Sequence, residues 1–159
     1  MTSLPTSLPT QRLSPKNQVT LPREARAFLG VGEGGQVCAL QHRVAKDGDA
    51  ESVPLLLLLT DGELQRREQR IIDDPALSPA KRFELVTKLN GGVRRMAVDG
   101  QHRVVLPAHF VSHLAVDRDV FFVCTNTTLQ LWHPATYLRW TGQDKPDHID
   151  PQLNTYLMI

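Results

Sequence analysis

No sign of charge dominates this chain: 18 lysines and arginines stand against 17 aspartates and glutamates, a formal net charge of +1 over 159 residues. A polyanionic partner therefore cannot be argued from global charge. Cysteine is scarce, with only Cys38 and Cys124, far apart and each inside an apolar, strand-like run. Two sulfurs without a Cys-x-x-Cys spacing give no basis for a disulfide framework or a cysteine-held zinc, and both are expected to be buried free thiols. Long hydrophobic runs are also missing. The richest, five leucines at 55–59, falls far short of the ~20 residues that a membrane helix needs. The opening segment repeats Thr-Ser-Leu-Pro but has no cationic start and no continuous apolar stretch. It reads as an arm without fixed structure rather than a signal peptide, so the expected location is cytoplasmic, with no membrane partner.

Catalytic signatures are equally sparse. Residues 30–35 spell G-x-G-x-x-G, yet these glycines follow a helical pattern and precede a strand. A dinucleotide site needs the reverse order, so this is read as a cap and turn. His109 and His113 have the i, i+4 spacing of a zinc pair, but Phe110, Val111 and Ser112 lie between them, with no general-base glutamate. No third ligand is evident by spacing, although His102 and His133 are further imidazoles. No nucleophile elbow, P-loop, Ser/His/Asp set or paired carboxylates stand out. Neither an enzyme, a metal, a cofactor nor a small-molecule substrate is expected.

What is present is a repeat. Lys16-Asn17-Gln18-Val19-Thr20-Leu21-Pro22 leads into Arg23-Glu24-Ala25-Arg26-Ala27-Phe28-Leu29-Gly30-Val31. Gln101-His102-Arg103-Val104-Val105-Leu106-Pro107 leads into Ala108-His109-Phe110-Val111-Ser112-His113-Leu114-Ala115-Val116. The blocks align without a gap, pairing Val19 with Val104, Pro22 with Pro107 and Leu29 with Leu114. Each reads as a polar turn, a short strand, a proline at the first helical position, a short helix and another strand. A unit this small cannot bury a core alone, so the two are expected to fold on each other.

Between the repeats the period changes. A charged amphipathic helix carries Leu64, Ile71 and Ile72, and a second is N-capped by Ser78 with Phe83, Leu85, Val86 and Leu89 as its apolar side. The expected organisation is an unstructured arm at 1–11, a first half-unit at 12–60, a helical pair at 61–92, a second half-unit with a last helix at 93–141, and a flexible acidic tail at 142–159. The fold class is α+β with internal pseudo-symmetry.

The polar turns carry the functional question. Asp99-Gly100-Gln101-His102-Arg103 sets a carboxylate four residues before a guanidinium, and the carboxylate can fix the arginine by a charge-assisted bond. An arginine held this way suits guanine edges or phosphates. In the first copy Ser14-Pro15-Lys16-Asn17-Gln18 keeps the polarity without the charged pair. Both repeats are locally basic: Arg12, Lys16, Arg23 and Arg26 face only Glu24 between 11 and 26. On chemistry alone the turns are equally explained as solvated loops with a surface ion pair contributing ~0–1 kcal/mol.

The block from Lys16 to Arg26 resembles the AbrB/SpoVT family of DNA-binding domains, and Asp99-Gly100-Gln101-His102-Arg103 is similar to the Asp-x-x-x-Arg signature of the MraZ family. The resemblance runs from about Leu13 to Trp140. It implies a double-ψ, swapped-hairpin β-barrel built from two half-units, with a helical pair between them and a C-terminal helix. It implies a repressor of a division and cell-wall gene cluster, nucleoid-associated, forming a homo-oligomeric ring on short direct repeats of double-stranded DNA. Carried across, Asp99 and Arg103 are the DNA-facing pair, joined by Gln101 and His102 and, from the first unit, by Lys16, Asn17, Gln18, Arg12 and Arg23. Ser14 and Gln18 stand where the family has aspartate and arginine. Other readings are an oligomeric protein-interaction scaffold without DNA binding, an AbrB-type antitoxin, or a metal enzyme on His102, His109 and His113.

Overall fold

A computed structural model describes residues 9–30, 35–145 and 150–157. The first unit supplies β1 (Gln11–Arg12), β2 (Gln18–Thr20), α1 (Arg23–Leu29), β3 (Gln36–Val44) and β4 (Val53–Leu59). A helical pair follows, α2 (Asp61–Ile72) and α3 (Pro79–Gly92). The second unit repeats the order with β5 (Arg94–Ala97), β6 (Arg103–Val105), α4 (Ala108–Leu114), β7 (Asp119–Cys124) and β8 (Leu129–Trp132), then α5 (Pro134–Thr141) and α6 (Pro151–Leu157). The molecule is α+β, with a curled antiparallel sheet in the order β1-β7-β8-β4-β3-β5 and a separate β2–β6 ribbon. Among the described residues no helix is long and apolar enough to cross a membrane.

The repeat becomes a pseudo-twofold axis. Reading the sheet from either edge gives equivalent strands in equivalent order, because β1 corresponds to β5, β7 to β3 and β8 to β4. The register obeys the same operation. Arg12 pairs with Asp119 as Ala97 pairs with Gln36, and Phe121 pairs with Trp132 as Cys38 pairs with Leu59. Each unit's leading strand thus leaves its own hairpin and completes the other's. The β2–β6 ribbon is centred on Val19 opposite Val104 and lies against both sheet edges, β2 beside β1 and β6 beside β5. Each unit's sheet is therefore completed only by a strand of the other.

The ribbon faces inward with Val19, Leu21, Val104 and Leu106, each 1% exposed. They join Val37, Leu56, Leu58, Phe110, Leu114 and Leu131 in one core. Full burial of each such aliphatic side chain stabilises the fold by roughly 1.5–3 kcal/mol, so the outward turns rest on a rigid base. Each short helix begins one residue after its proline, which occupies the capping position rather than the first helical one. Each ends in a left-handed residue, Gly30 at φ 61° and Ala115 at φ 57°. Gly30 is the natural choice there, whereas Ala115 bears a Cβ penalty.

Other expectations need correction. Cys38 is buried and its thiol donates to Asp61 Oδ1 at 3.2 Å, but Cys124 is exposed near the end of β7. A strand terminus carries its side chain past the sheet's cover even in an apolar run. Phe83 does not belong to the packed side of α3: it is 76% exposed, and the helix buries no residue fully. Of the G-x-G-x-x-G segment, residues 31–34 lie outside the described residues, as do 1–8 of the proposed arm.

Candidate nucleic-acid interface

The two polar turns have the same backbone. Ser14 accepts from the Asn17 N–H at 2.9 Å and donates its own N–H to the Gln18 carbonyl at 2.8 Å; Asp99 does both with His102 and Arg103, each at 3.0 Å. Asn17 and His102 both sit in the left-handed region, at φ 62° and 60°. The turns are also cross-tied. The Leu21 N–H donates to the His102 carbonyl and the Leu106 N–H to the Asn17 carbonyl, both at 2.8 Å. The ends of the ribbon are therefore fixed by the opposite unit.

What differs is the side chain at the turn's first position. Asp99 Oδ1 accepts the backbone N–H groups of Gln101 at 2.8 Å and Arg103 at 2.9 Å, while Oδ2 accepts the Arg103 guanidinium Nε at 2.8 Å. The Ser14 hydroxyl takes the same two backbone donors, Lys16 at 3.2 Å and Gln18 at 3.0 Å. A hydroxyl thus replaces the carboxylate as the turn's internal acceptor, with no second oxygen to orient a neighbour. By alignment Ser14 stands at the place of Asp99. Its polarity at the aligned position was the signal that the turn itself is retained.

The register decides which side chains point outward. Val19 and Val104 face the core, so Gln18, Thr20, Arg103 and Val105 share the solvent face. Thr20 lies directly opposite Arg103, and Gln18 opposite Val105. Gln18 and Arg103 are therefore diagonal neighbours, about 7–8 Å apart by strand geometry. Among the described residues the two terminal guanidinium nitrogens of Arg103 have no protein hydrogen-bond partner, and they remain available to an external acceptor.

The remaining candidates spread outward from this ribbon. Gln101 and Lys16 are exposed at the tips of their turns. His102 is half-buried, with Nδ1 enclosed and unpartnered among the described residues, so its ring is partly committed to the interior. Arg12 is exposed on β1 and lines a hollow with Ser14, Pro15 and Arg118, which places a second cation beside the first turn. Arg23 is exposed two residues beyond Leu21, at the end of β2 that meets the second turn.

The histidine pair has other duties. His113 Nε2 lies 3.0 Å from the His42 carbonyl and 3.1 Å from the Leu55 carbonyl, pinning α4 to the β3–β4 hairpin. His109 stacks edge-on against Phe110 with ring centroids 4.6 Å apart, and His133 Nδ1 caps α5 by accepting the Ala135 N–H. Among the described residues no three metal-ligating side chains gather into a site.

The Asp99 carboxyl is held below its ordinary value of 3.8, chiefly by the Arg103 backbone N–H, with the guanidinium adding to it against some desolvation. A depressed carboxyl stabilises the turn fully above pH 3.8, and that contribution disappears as pH falls through the lower folded value. A carboxyl-carbon NMR titration is expected to place its midpoint below 3.8. Arg103→Ala should return the midpoint only part of the way, because both backbone donors remain. A wild-type midpoint at or above the ordinary value would refute the buttress.

No family model matches the chain. Two curated proteins are similar to parts of it. A transcriptional regulator MraZ of Ruegeria pomeroyi is 42% identical over 41 residues, covering 26% of this chain and 25% of that protein. A transcriptional regulator MraZ of Ruegeria sp. strain TM1040 is 33% identical over 69 residues, covering 39% of this chain and 41% of that protein. The aligned stretches span about a quarter and two fifths of these relatives' lengths. Both support membership of the MraZ family, the one suggested by the repeated units.

Proposed function

We propose that this chain is a transcriptional regulator that reads double-stranded DNA with the outward face of its β2–β6 ribbon. The observation that carries the reading is Arg103, oriented by Asp99 and leaving two guanidinium nitrogens unengaged on a rigid two-stranded ribbon. A two-stranded antiparallel ribbon fits the major groove, where an arginine fork matches the O6 and N7 acceptors of guanine. Gln18 is chemically suited to adenine, and the methyl groups of Thr20 and Val105 to the thymine methyl. Lys16 at its turn tip, Arg12 on β1 and Arg23 at the start of α1 supply phosphate contacts that position the ribbon without reading sequence.

One ribbon with so few cations binds weakly and loses affinity with salt. Several copies on one assembly, over short direct repeats, raise the effective concentration of each later contact. This reading includes the AbrB-type swapped-hairpin barrel, since strand exchange between half-units is the geometry such a barrel needs. It also includes a ring of copies and a nucleoid location. A formal net charge of +1 is compatible, because Arg12, Lys16, Arg23 and Arg103 lie around the ribbon and its turns. Loss of the guanidinium from the first turn favours a second reading, a protein-interaction scaffold without DNA affinity.

Selection of genomic fragments by the purified full chain separates the two. Enrichment of direct repeats, with binding that weakens linearly in log salt, is the expected result. Recovery of no enriched sequence together with salt-independent background would leave the scaffold reading.

A further inference from the structure

The first turn lacks the oriented guanidinium, yet two other arginines stand beside it. Arg12 at the end of β1 and Arg118 just before β7 line one hollow of about 670 Å³, whose walls include Leu13, Ser14 and Pro15. Backbone bonds hold the two positions together. The Leu13 N–H donates to the Arg118 carbonyl, and Arg12 stands opposite Asp119 in the β1–β7 register. Under the pseudo-twofold axis the corresponding bond runs from the Val98 N–H to the Gly35 carbonyl at 2.9 Å, and Ala97 stands opposite Gln36. Arg12 and Arg118 therefore correspond to Ala97 and Gly35. Two guanidiniums flank the turn without the Asp–Arg pair, and neither of the matching positions beside the other turn carries one.

Both side chains are exposed, and among the described residues neither has a carboxylate within salt-bridge distance. By contrast Arg43, Arg82 and Arg94 donate to carbonyls of their own chain, at Ser52, Asp74 and Gly91. An uncommitted guanidinium at a surface presents a planar fork suited to oxyanions, phosphate above all. Position supports the same chemistry. The turn leads from β1 into β2, so the hollow adjoins one end of the ribbon, and the buried Leu13 and Val19 anchor the backbone on either side of the turn. Asp117 shares the wall, so an isolated anion is held weakly there. A phosphate already brought close by contacts along the ribbon meets the two arginines at high effective concentration.

We propose that Arg12 and Arg118 grip the DNA backbone phosphates that pass over this hollow, so that the first turn holds the duplex while the second reads it. The inference rests on the reading of the ribbon as a DNA-binding face. It brings Arg118, from the second unit's α4–β7 connection, to the first unit's side of the interface. It also gives Ser14 a use. A carboxylate at that position, without an arginine of its own at position 18, would repel phosphate and draw on the two guanidiniums beside it. The hydroxyl keeps the turn's internal bonds and leaves both arginines free. Base discrimination is then one-sided: it comes from the Arg103 end, while the Arg12–Arg118 end supplies affinity without sequence.

Fluorescence anisotropy over a salt series, with the full chain and the duplex it selects from genomic fragments, tests the grip. Arg12→Ala and Arg118→Ala should each lower the salt slope by about one, and the two together by about two, with affinity falling evenly for the selected duplex and its single-base variants. Arg12→Gln with Arg118→Gln serves if the alanine pair fails to fold. Arg66→Ala, exposed on α2 away from the ribbon, should leave the slope unchanged. A double variant with wild-type slope and affinity overturns the grip and leaves the reading by Arg103 standing. Loss of discrimination at one base position overturns the phosphate assignment. An equal drop in Arg66→Ala would show diffuse attraction in place of a grip. A wild-type chain without affinity for any duplex overturns the reading of the ribbon, and the grip with it. Inorganic phosphate, titrated at constant ionic strength, should raise the melting temperature of the wild type no more than that of the double variant. A larger rise in the wild type would make the hollow a site for free anions instead.

Discussion

Replacing Arg103 with alanine is expected to weaken binding to a selected DNA site by about 5- to 140-fold, while the chain still folds and keeps its assembly mass. The range corresponds to the 1–3 kcal/mol of one bidentate base contact. The stability cost is smaller by comparison. Its ion pair with Asp99 joins side chains that are 37% and 38% exposed, and water screens such an exposed pair strongly. Asp99 keeps its two backbone donors in the variant, so the turn should hold its shape. Two forms of the loss are distinguishable. If Arg103 reads a guanine, the variant should lose discrimination at one base position. If it meets a phosphate, affinity should fall evenly across sequences and the salt slope should drop by about one. Fluorescence anisotropy over a salt series, with the selected site and single-base variants, separates these. Undiminished affinity for every sequence would remove Arg103 from the interface.

The pattern of residues revealed the repeat, the α+β class and the helical pair because these depend on local signals: alternation, proline placement, glycine caps. It did not reveal β1. A two-residue strand, Gln11–Arg12, has no alternation to read, and its partner β7 lies more than a hundred residues away. Strand exchange is a property of the pair of units, and neither unit alone encodes it visibly. The site was legible in part. Asp99 and Arg103 stood out because opposite charges flank a tight turn at four-residue spacing, and it was the family resemblance that separated them from an ordinary surface ion pair. Thr20 and Val105 were missed as outward neighbours, since only the Val19–Val104 register shows which face of the ribbon is solvent. Phe83 and Cys124 were misjudged for a shared reason. Periodicity identifies an apolar face, but what covers that face depends on the neighbouring element, and among the described residues both side chains stay exposed.

The asymmetry between the two turns is one of side chains, not of backbone. The left-handed residue, the internal acceptor at the turn's first position and the cross-tie to the opposite unit are all present twice. The carboxylate and the guanidinium are present once. Charge-assisted bonds are roughly twice as strong as neutral ones, and an arginine held by one is ordered before it meets a ligand. Ordering a free arginine side chain costs up to about 2 kcal/mol of rotamer entropy. The second turn offers a preorganised contact, whereas among the described residues no side chain hydrogen-bonds to that of Gln18 in the first.

Restoring the first turn is therefore expected to strengthen DNA binding. Ser14→Asp combined with Gln18→Arg should raise affinity by about 5- to 140-fold, the size of one further bidentate contact. If the introduced guanidinium meets a phosphate instead, the salt slope should steepen by about 0.9. The backbone already holds the geometry that the pair needs, because the two donors now on the Ser14 hydroxyl would pass to the carboxylate. Gln18→Arg alone should gain less, since the guanidinium would then be ordered only on binding. Ser14→Asp alone should weaken binding slightly, by adding an unneutralised charge near phosphates. The gain of the double variant over the sum of the single changes measures the buttress, and coupling within such a network is typically 0.5–3 kcal/mol. In an Arg103→Ala background the double variant should recover much of the lost affinity, because the pseudo-twofold axis carries the restored turn onto the position of the other. A double variant that binds no tighter than wild type, with its fold intact, would mean that the first turn stays off the DNA.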